Sequence, residues 1–309
     1  MSFRVAVASS SLLALPVIER LRQMPEIDLC GFVSTPDKPK GRSSTPTPNE
    51  LAHHLQQAGF EVLKPGDDES LFSRIRELNL DLVVVIAYGR LIKESALTLP
   101  RKGWINIHFS LLPEYRGAAP VQRALMEGQT RFGFTIFRLD RGMDTGPVFL
   151  QEEVSVRESL CATEILEVLA QHAADSFPKV IASLNEDREP VEQTGQVSYA
   201  PKIAKSETKI DFEKDAASVI GQIRALTKEP GAWLLVQGRR CIITKAFAAV
   251  AEIEPKRLGL RQGKLLLGVL GGSIEIVSLI PEGKREMTGG EFARGMRLTD
   301  DPTSDLEVL

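Results

Sequence analysis

Residues Leu82 to Ala87 read LVVVIA, an unbroken apolar run rich in β-branched side chains that ends in Tyr88-Gly89-Arg90. A run of this length with no polar alternation fits a strand buried on both faces, and such strands belong to parallel sheets covered by helices. The flanking pattern agrees. Phe3 to Ala8 is a short β run, Leu12 to Leu21 has helical spacing with Pro16 confined to the first turn, and Ile27 to Ser34 is a second strand. Amphipathic segments at Glu50 to Ala58 and Ser70 to Leu78 then flank a short strand at Glu61 to Lys64. Alternating strands and helices predict an α/β, Rossmann-like, mostly parallel sheet with helices on both faces. The first strand-helix turn, Ser9-Ser10-Ser11, lacks the GxGxxG of a dinucleotide site and reads as a helix cap.

Open sheets of this kind bind ligands at the C-terminal ends of their strands. In Trp104 to Pro120, WINIHFSLLPEYRGAAP, apolar Ile105 and Ile107 alternate with Asn106 and His108, so the carboxamide and imidazole share one face at a strand end. Phe134 to Gly146 is another short β run that delivers Asp144 on a glycine-flanked loop. Taken singly, Asn106 reads as a strand-end cap and His108 as a satisfied polar residue. Together, an amide donor, an imidazole and a carboxylate with no obvious nucleophile suit direct acyl transfer. The amide and a protonated imidazole can hold a developing oxyanion, and the carboxylate favours the charged imidazole, which otherwise titrates near about 6.5.

Asn106-Ile107-His108, Ser110-Leu111-Leu112-Pro113, Tyr115-Arg116-Gly117-Ala118-Ala119-Pro120 and Met143-Asp144-Thr145-Gly146 together resemble the 10-formyltetrahydrofolate-dependent formyltransferases, and the resemblance extends over nearly the whole chain. It implies transfer of a formyl group from 10-formyltetrahydrofolate, released as tetrahydrofolate, to the free amino group of methionine-charged initiator tRNA. The same chemistry on an amino sugar nucleotide or glycinamide ribonucleotide is the alternative. The implied catalytic residues are Asn106, His108 and Asp144. The cofactor would lie against Ser110, Leu111, Leu112, Pro113 and the turn at Tyr88 and Gly89, with no metal. The proline-rich stretch from Thr35 to Pro48 predicts an exposed irregular loop, and Arg42 matches the position that reaches into tRNA, with Lys38 and Lys40 beside it. Departures from the family pattern are Ser9-Ser10-Ser11 for a Gly-Thr-Pro turn, Ser43-Ser44 for two lysines, Phe109 for Gly or Pro, and Thr227-Lys228-Glu229-Pro230 for Asn-Pro-Trp-Pro.

The 309 residues predict two domains. The resemblance implies that residues 1–188 form the catalytic domain, with a polar stretch at 189–206 as the linker and 207–309 as a small OB-like β-barrel that binds tRNA. In the last, the resemblance places one helix, roughly Ala216 to Leu226, before short strands legible at Ala232 to Gln237, Arg240 to Ala246, Lys264 to Val269 and Ser273 to Leu279. Arg239, Arg240 and Lys284, with Lys264 and Arg285, are the candidate phosphate contacts. They must act locally, because the net charge is −3. Small residues around Pro120 predict a helix packed close to the sheet, and Arg116 or Arg123 either meets phosphate or closes an internal ion pair. Cys30, Cys161 and Cys241 lie far apart with no CxxC or Cys/His pairing, so neither a disulfide framework nor a zinc site is indicated. The N-terminus MSFRVAVASS lacks a signal-peptide or membrane-span pattern, so the expectation is a cytoplasmic protein, with a monomer as the default state.

Overall fold

A computed structural model describes residues 2–39 and 44–309. The chain divides into two compact units: residues 1–117, 131–156 and 166–199 form the first, and residues 118–130, 157–165 and 200–309 the second.

The first unit is built on a seven-stranded sheet. Its strands are β1 (Phe3–Ser9), β2 (Ile27–Val33), β3 (Val62–Leu63), β4 (Leu82–Ile86), β5 (Trp104–His108), β6 (Phe132–Arg138) and β7 (Val148–Val154). They lie in the order β3-β2-β1-β4-β5-β6-β7. The first five pair in parallel, and β6 and β7 are added antiparallel at one edge. LVVVIA is thus a central strand, and residues on both sides of its pleat are buried. Ala6, Ala8, Val83, Val85 and Trp104 pack with Leu71 and Ile75 of the helix Asp68–Leu78. Val5, Val7, Val84 and Ile86 are equally buried on the other face.

One local feature differs from the sequence expectation. The Thr35 to Pro48 stretch contains a two-residue ribbon, Lys38–Pro39 against Pro46–Thr47. Proline is tolerated in such an edge pairing, where few N–H donors are needed. The helix Pro120–Met126 packs against the helix Ala216–Leu226 within the second unit. The close approach falls at Gly221, where a Cβ would meet Leu125 O.

The second unit carries an antiparallel half-barrel. Its strands are β8 (Ala232–Val236), β9 (Arg239–Ala248), β10 (Arg257–Arg261), β11 (Lys264–Val269), β12 (Gly272–Pro281), β13 (Met287–Thr288) and β14 (Leu306–Glu307). The order is β8-β9-β12-β11-β10-β14, with β13 beside β12. Gln237 and Gly238, both at positive φ, make the tight hairpin between β8 and β9. Among the described residues no helix is long and apolar enough to cross a membrane.

Arg123 is engaged inside the second unit. Its guanidinium forks onto Glu207, with Nη2 2.9 Å from Oε2, and also donates to Pro201 O and Lys202 O. This pairing, with the Ala204 N–H as the second contributor, holds the Glu207 carboxyl down at about 2 from its ordinary 4.5. A depressed carboxylate stabilises the fold fully above its unfolded value and ceases to do so as pH falls through the folded one. Glu207→Gln should therefore unfold about 1 kcal/mol more easily than wild type at neutral pH. The urea-denaturation gap between the two should close between pH 4.5 and about 2; a gap that is independent of pH contradicts the assignment.

Candidate active site

Strand β5 places Trp104, Asn106 and His108 on one face, and β6 runs beside it with Asn106 opposite Phe137 and His108 opposite Thr135. His108 is 6% exposed, and its Nε2 lies 2.8 Å from Tyr115 O. A carbonyl oxygen only accepts, so Nε2 carries the hydrogen and Nδ1 is left to face the site. Nδ1 is 3.7 Å from Asp144 Oδ2, beyond direct hydrogen-bond length. That same oxygen accepts from Gly117 N at 2.8 Å. Asn106 is half-buried, and among the described residues its carboxamide makes no hydrogen bond. The three groups expected to act together are therefore gathered on one rim. One donor is free, the imidazole is oriented by the backbone, and the carboxylate is anchored beside it.

The Asp144 loop is bent by its own residues. Asp140 Oδ1 accepts from Gly142 N at 2.9 Å and from Thr145 Oγ1 at 2.7 Å, and Asp144 itself sits at φ 54°. That left-handed conformation is one Asp adopts at modest cost. A Cβ at Gly142 would overlap Thr145, and one at Gly146 would overlap Arg138 O, so glycine is required at both flanks.

The Ser110 to Pro113 turn is held from within. Thr135, fully buried, donates through Oγ1 to Ser110 O (2.7 Å) and accepts from Leu112 N (3.1 Å) and Gln151 Nε2 (3.0 Å). Gln151 Nε2 also donates to Leu112 O at 2.7 Å, and the Ser110 hydroxyl to Glu114 O at 2.6 Å. Leu111 and Leu112 are buried, so this turn forms a fixed wall beside His108. Phe109 is buried too. The Tyr88 ring lies in the core with Trp104 and Val85, where burial pushes its phenol above the ordinary value. Gly89 follows at φ 74° with open space where a side chain would stand, leaving main chain at this strand end.

Four residues of this region were not singled out as site residues from the sequence. Thr135 and Gln151 brace the turn, and Ser198 Oγ accepts from Tyr115 N at 2.8 Å, steadying the carbonyl that orients His108. Gln193 reaches the Asp144 loop. Thr135 lies in the short β run that leads to Asp144, and nothing in the sequence marks the role of any of the four.

Of the expected nucleic-acid contacts, Lys38 is exposed, while Lys40 and Arg42 lie outside the described residues. Arg239, Lys284 and Arg285 are exposed in the second unit. Arg240 stands 4.9 Å over the Trp233 ring, and its O accepts from Glu282 N, which brings the start of β9 next to the turn carrying Lys284 and Arg285. Lys264 is paired with Glu275 at 2.8 Å and so contributes little free charge. Arg116 donates to Gln193 Oε1 at 2.6 Å.

Comparison with known proteins bears on this geometry. Residues 3–181 match the formyl transferase family, and residues 202–297 match the formyl transferase C-terminal domain. The chain belongs to the formyl transferase family. It is 34% identical over 301 residues to a methionyl-tRNA formyltransferase of Clavibacter sepedonicus, covering 96% of this chain and 98% of that one. It is 36% identical over 297 residues to a methionyl-tRNA formyltransferase of Thermus thermophilus, covering 94% and 96%. Among solved structures, HypX from Aquifex aeolicus in complex with tetrahydrofolic acid aligns with a TM-score of 0.64 at 17% identity. That alignment covers 95% of this chain and 47% of HypX, and it shows a shared fold.

Replacing Thr135 with Val removes a hydroxyl that bonds the buried Ser110 O and Leu112 N as well as the Gln151 amide, so Thr135→Val should cost about 2 kcal/mol in urea unfolding while Thr135→Ser recovers most of it. Equal stability of the Val variant and wild type would show that the turn does not depend on this brace.

Proposed function

We propose that this chain is a methionyl-tRNA formyltransferase, moving a formyl group from 10-formyltetrahydrofolate to the free amino group of methionine-charged initiator tRNA. The observation that carries the reading is the free Asn106 carboxamide on the same rim as the His108 and Asp144 pair. Full-length similarity to enzymes of that name supports the acceptor.

In this mechanism the folate donor is a substrate, lying against the wall at Ser110 to Pro113 and the main chain at Tyr88 and Gly89. The amine attacks the formyl carbon, and the carbonyl oxygen gains negative charge. Asn106 Nδ2 is free to donate to that oxygen. His108 is committed to Tyr115 O through Nε2, so Nδ1–H is its available donor. Two donors fixed before reaction stabilise the developing charge without the reorganisation water requires. Asp144 faces Nδ1 across a 3.7 Å gap and accepts the amine proton directly or through water. The oxygen that also accepts from Gly117 N cannot swing away while it does so. The tetrahedral intermediate collapses as its bond to N10 of the donor breaks, N10 receives the proton taken from the amine, and tetrahydrofolate leaves, with no bond needed between enzyme and formyl carbon.

Lys38, Lys40 and Arg42 on the proline-rich stretch, and Arg239, Arg240 and Lys284 on the second unit, are assigned to the tRNA backbone. Each contributes locally against an overall charge of −3. The decisive test presents purified protein and labelled 10-formyltetrahydrofolate with charged initiator tRNA, charged elongator tRNA, an amino sugar nucleotide and glycinamide ribonucleotide in parallel. Label is expected on methionyl initiator tRNA at a rate falling steeply with salt. Label on a small amine alone would overturn the acceptor assignment.

A further inference from the structure

The polar segment 189–206 runs mostly exposed: Val191, Glu192 and residues 194–197 all face solvent. Between 191 and 199 only Gln193 and Ser198 are half-buried, and both turn toward the site.

Gln193 uses its whole side chain there. Nε2 donates to Asp144 O at 2.9 Å and to Gly146 O at 2.8 Å, straddling Thr145, while Oε1 accepts from Arg116 Nη2 at 2.6 Å. One amide thus ties the Asp144 loop to the turn after β5. Asp144 makes a second, independent tie between the same two segments through Gly117 N. Arg116 Nε is buried with no partner among the described residues, so Gln193 supplies the only side-chain acceptor that this guanidinium has there.

We propose that Gln193 is a positioning residue for formyl transfer. It fixes the backbone of Asp144 and Gly146 so that the carboxylate meets His108 Nδ1, and it touches neither substrate nor the reacting atoms. The Asp144 loop has few other restraints at these carbonyls, since its internal bonds run from Asp140 to Gly142 and Thr145. Without the bracket, Asp144 keeps its chemistry but loses its place. A displacement of about 1 Å of a catalytic group can cost up to a hundredfold in rate. This inference rests on Asp144 acting in the reaction, and the test separates the two.

The experiment is a double-mutant cycle on the full chain, measuring kcat and KM for the folate donor and for charged tRNA, with melting temperature alongside. Gln193→Leu removes both donors and the acceptor. Gln193→Glu keeps an acceptor for Arg116 and removes the donors to the loop, so it isolates the bracket from the satisfaction of Arg116. Both should lower kcat by about ten- to a hundredfold with each KM within about twofold of wild type. Gln193→Glu should melt near wild type. Asp144→Asn should be far slower than either, and adding Gln193→Leu to it should change kcat by less than about twofold, because the residue acts through Asp144. Wild-type kcat in both Gln193 variants, or multiplicative losses in the double variant, overturns the bracket while leaving Asp144 in place. Wild-type kcat in Asp144→Asn overturns the role of Asp144 and the bracket with it.

Discussion

One carboxylate oxygen joins the two halves of the site. Asp144 Oδ2 holds Gly117 N–H at 2.8 Å and stands 3.7 Å from His108 Nδ1. The need for such a tie follows from topology. Strand β6 runs antiparallel to β5, so its last residue, Arg138, lies opposite Ile105 at the start of β5 while His108 is at the end. The chain leaving β6 must come back along the sheet to deliver an acid to the imidazole. The Asp140 to Thr145 bonds, the close approaches at Gly142 and Gly146, and the positive φ of Asp144 are the local means of that return.

The rest of the site is arranged so that nothing has to be reoriented when charge develops. His108 is held by a carbonyl that is itself held, because Tyr115 N donates to Ser198 Oγ. The wall beside it is pinned by Thr135 and Gln151, and the strand beneath it is buried between helices. The half-buried Asn106 carboxamide makes no hydrogen bond among the described residues, and in the proposed mechanism it is the donor that a substrate oxygen takes over. Fixed donors around one unspent group are the physical form of preorganisation. The protein accepts a polar group without a partner at the rim and compensates with dense internal bonding one layer behind.

Much of this was legible in the sequence wherever periodicity carries it. LVVVIA reads as a buried strand, and the alternation of Ile105, Asn106, Ile107 and His108 puts two polar groups on one face, while the helix at Ala216 to Leu226 was legible through the family resemblance. What could not be read depends on partners far along the chain. Gln193 and Ser198 sit in a stretch whose composition marks only a loop, and their bonds reach back 49 and 83 residues. Strand β10 has a glycine at its centre and arginines at its ends, and its edge partner β14 lies in an acidic tail. That tail is ordered by Asp305, which accepts a two-pronged bond from Arg261, with Nη1 2.9 Å from Oδ1. The packing partner of the helix Pro120–Met126 was equally hidden, because small residues announce a close approach without naming what approaches.

The central claim is that Asn106, His108 and Asp144 carry the chemical step together from one rim. Its most direct test is single-turnover formyl transfer at saturating donor and charged tRNA for Asn106→Ala, His108→Ala and wild type, with donor affinity measured separately. Each substitution should slow the transfer step by about a hundredfold or more while donor binding changes little. Wild-type transfer in either variant, or a loss wholly explained by weaker donor binding, would contradict it.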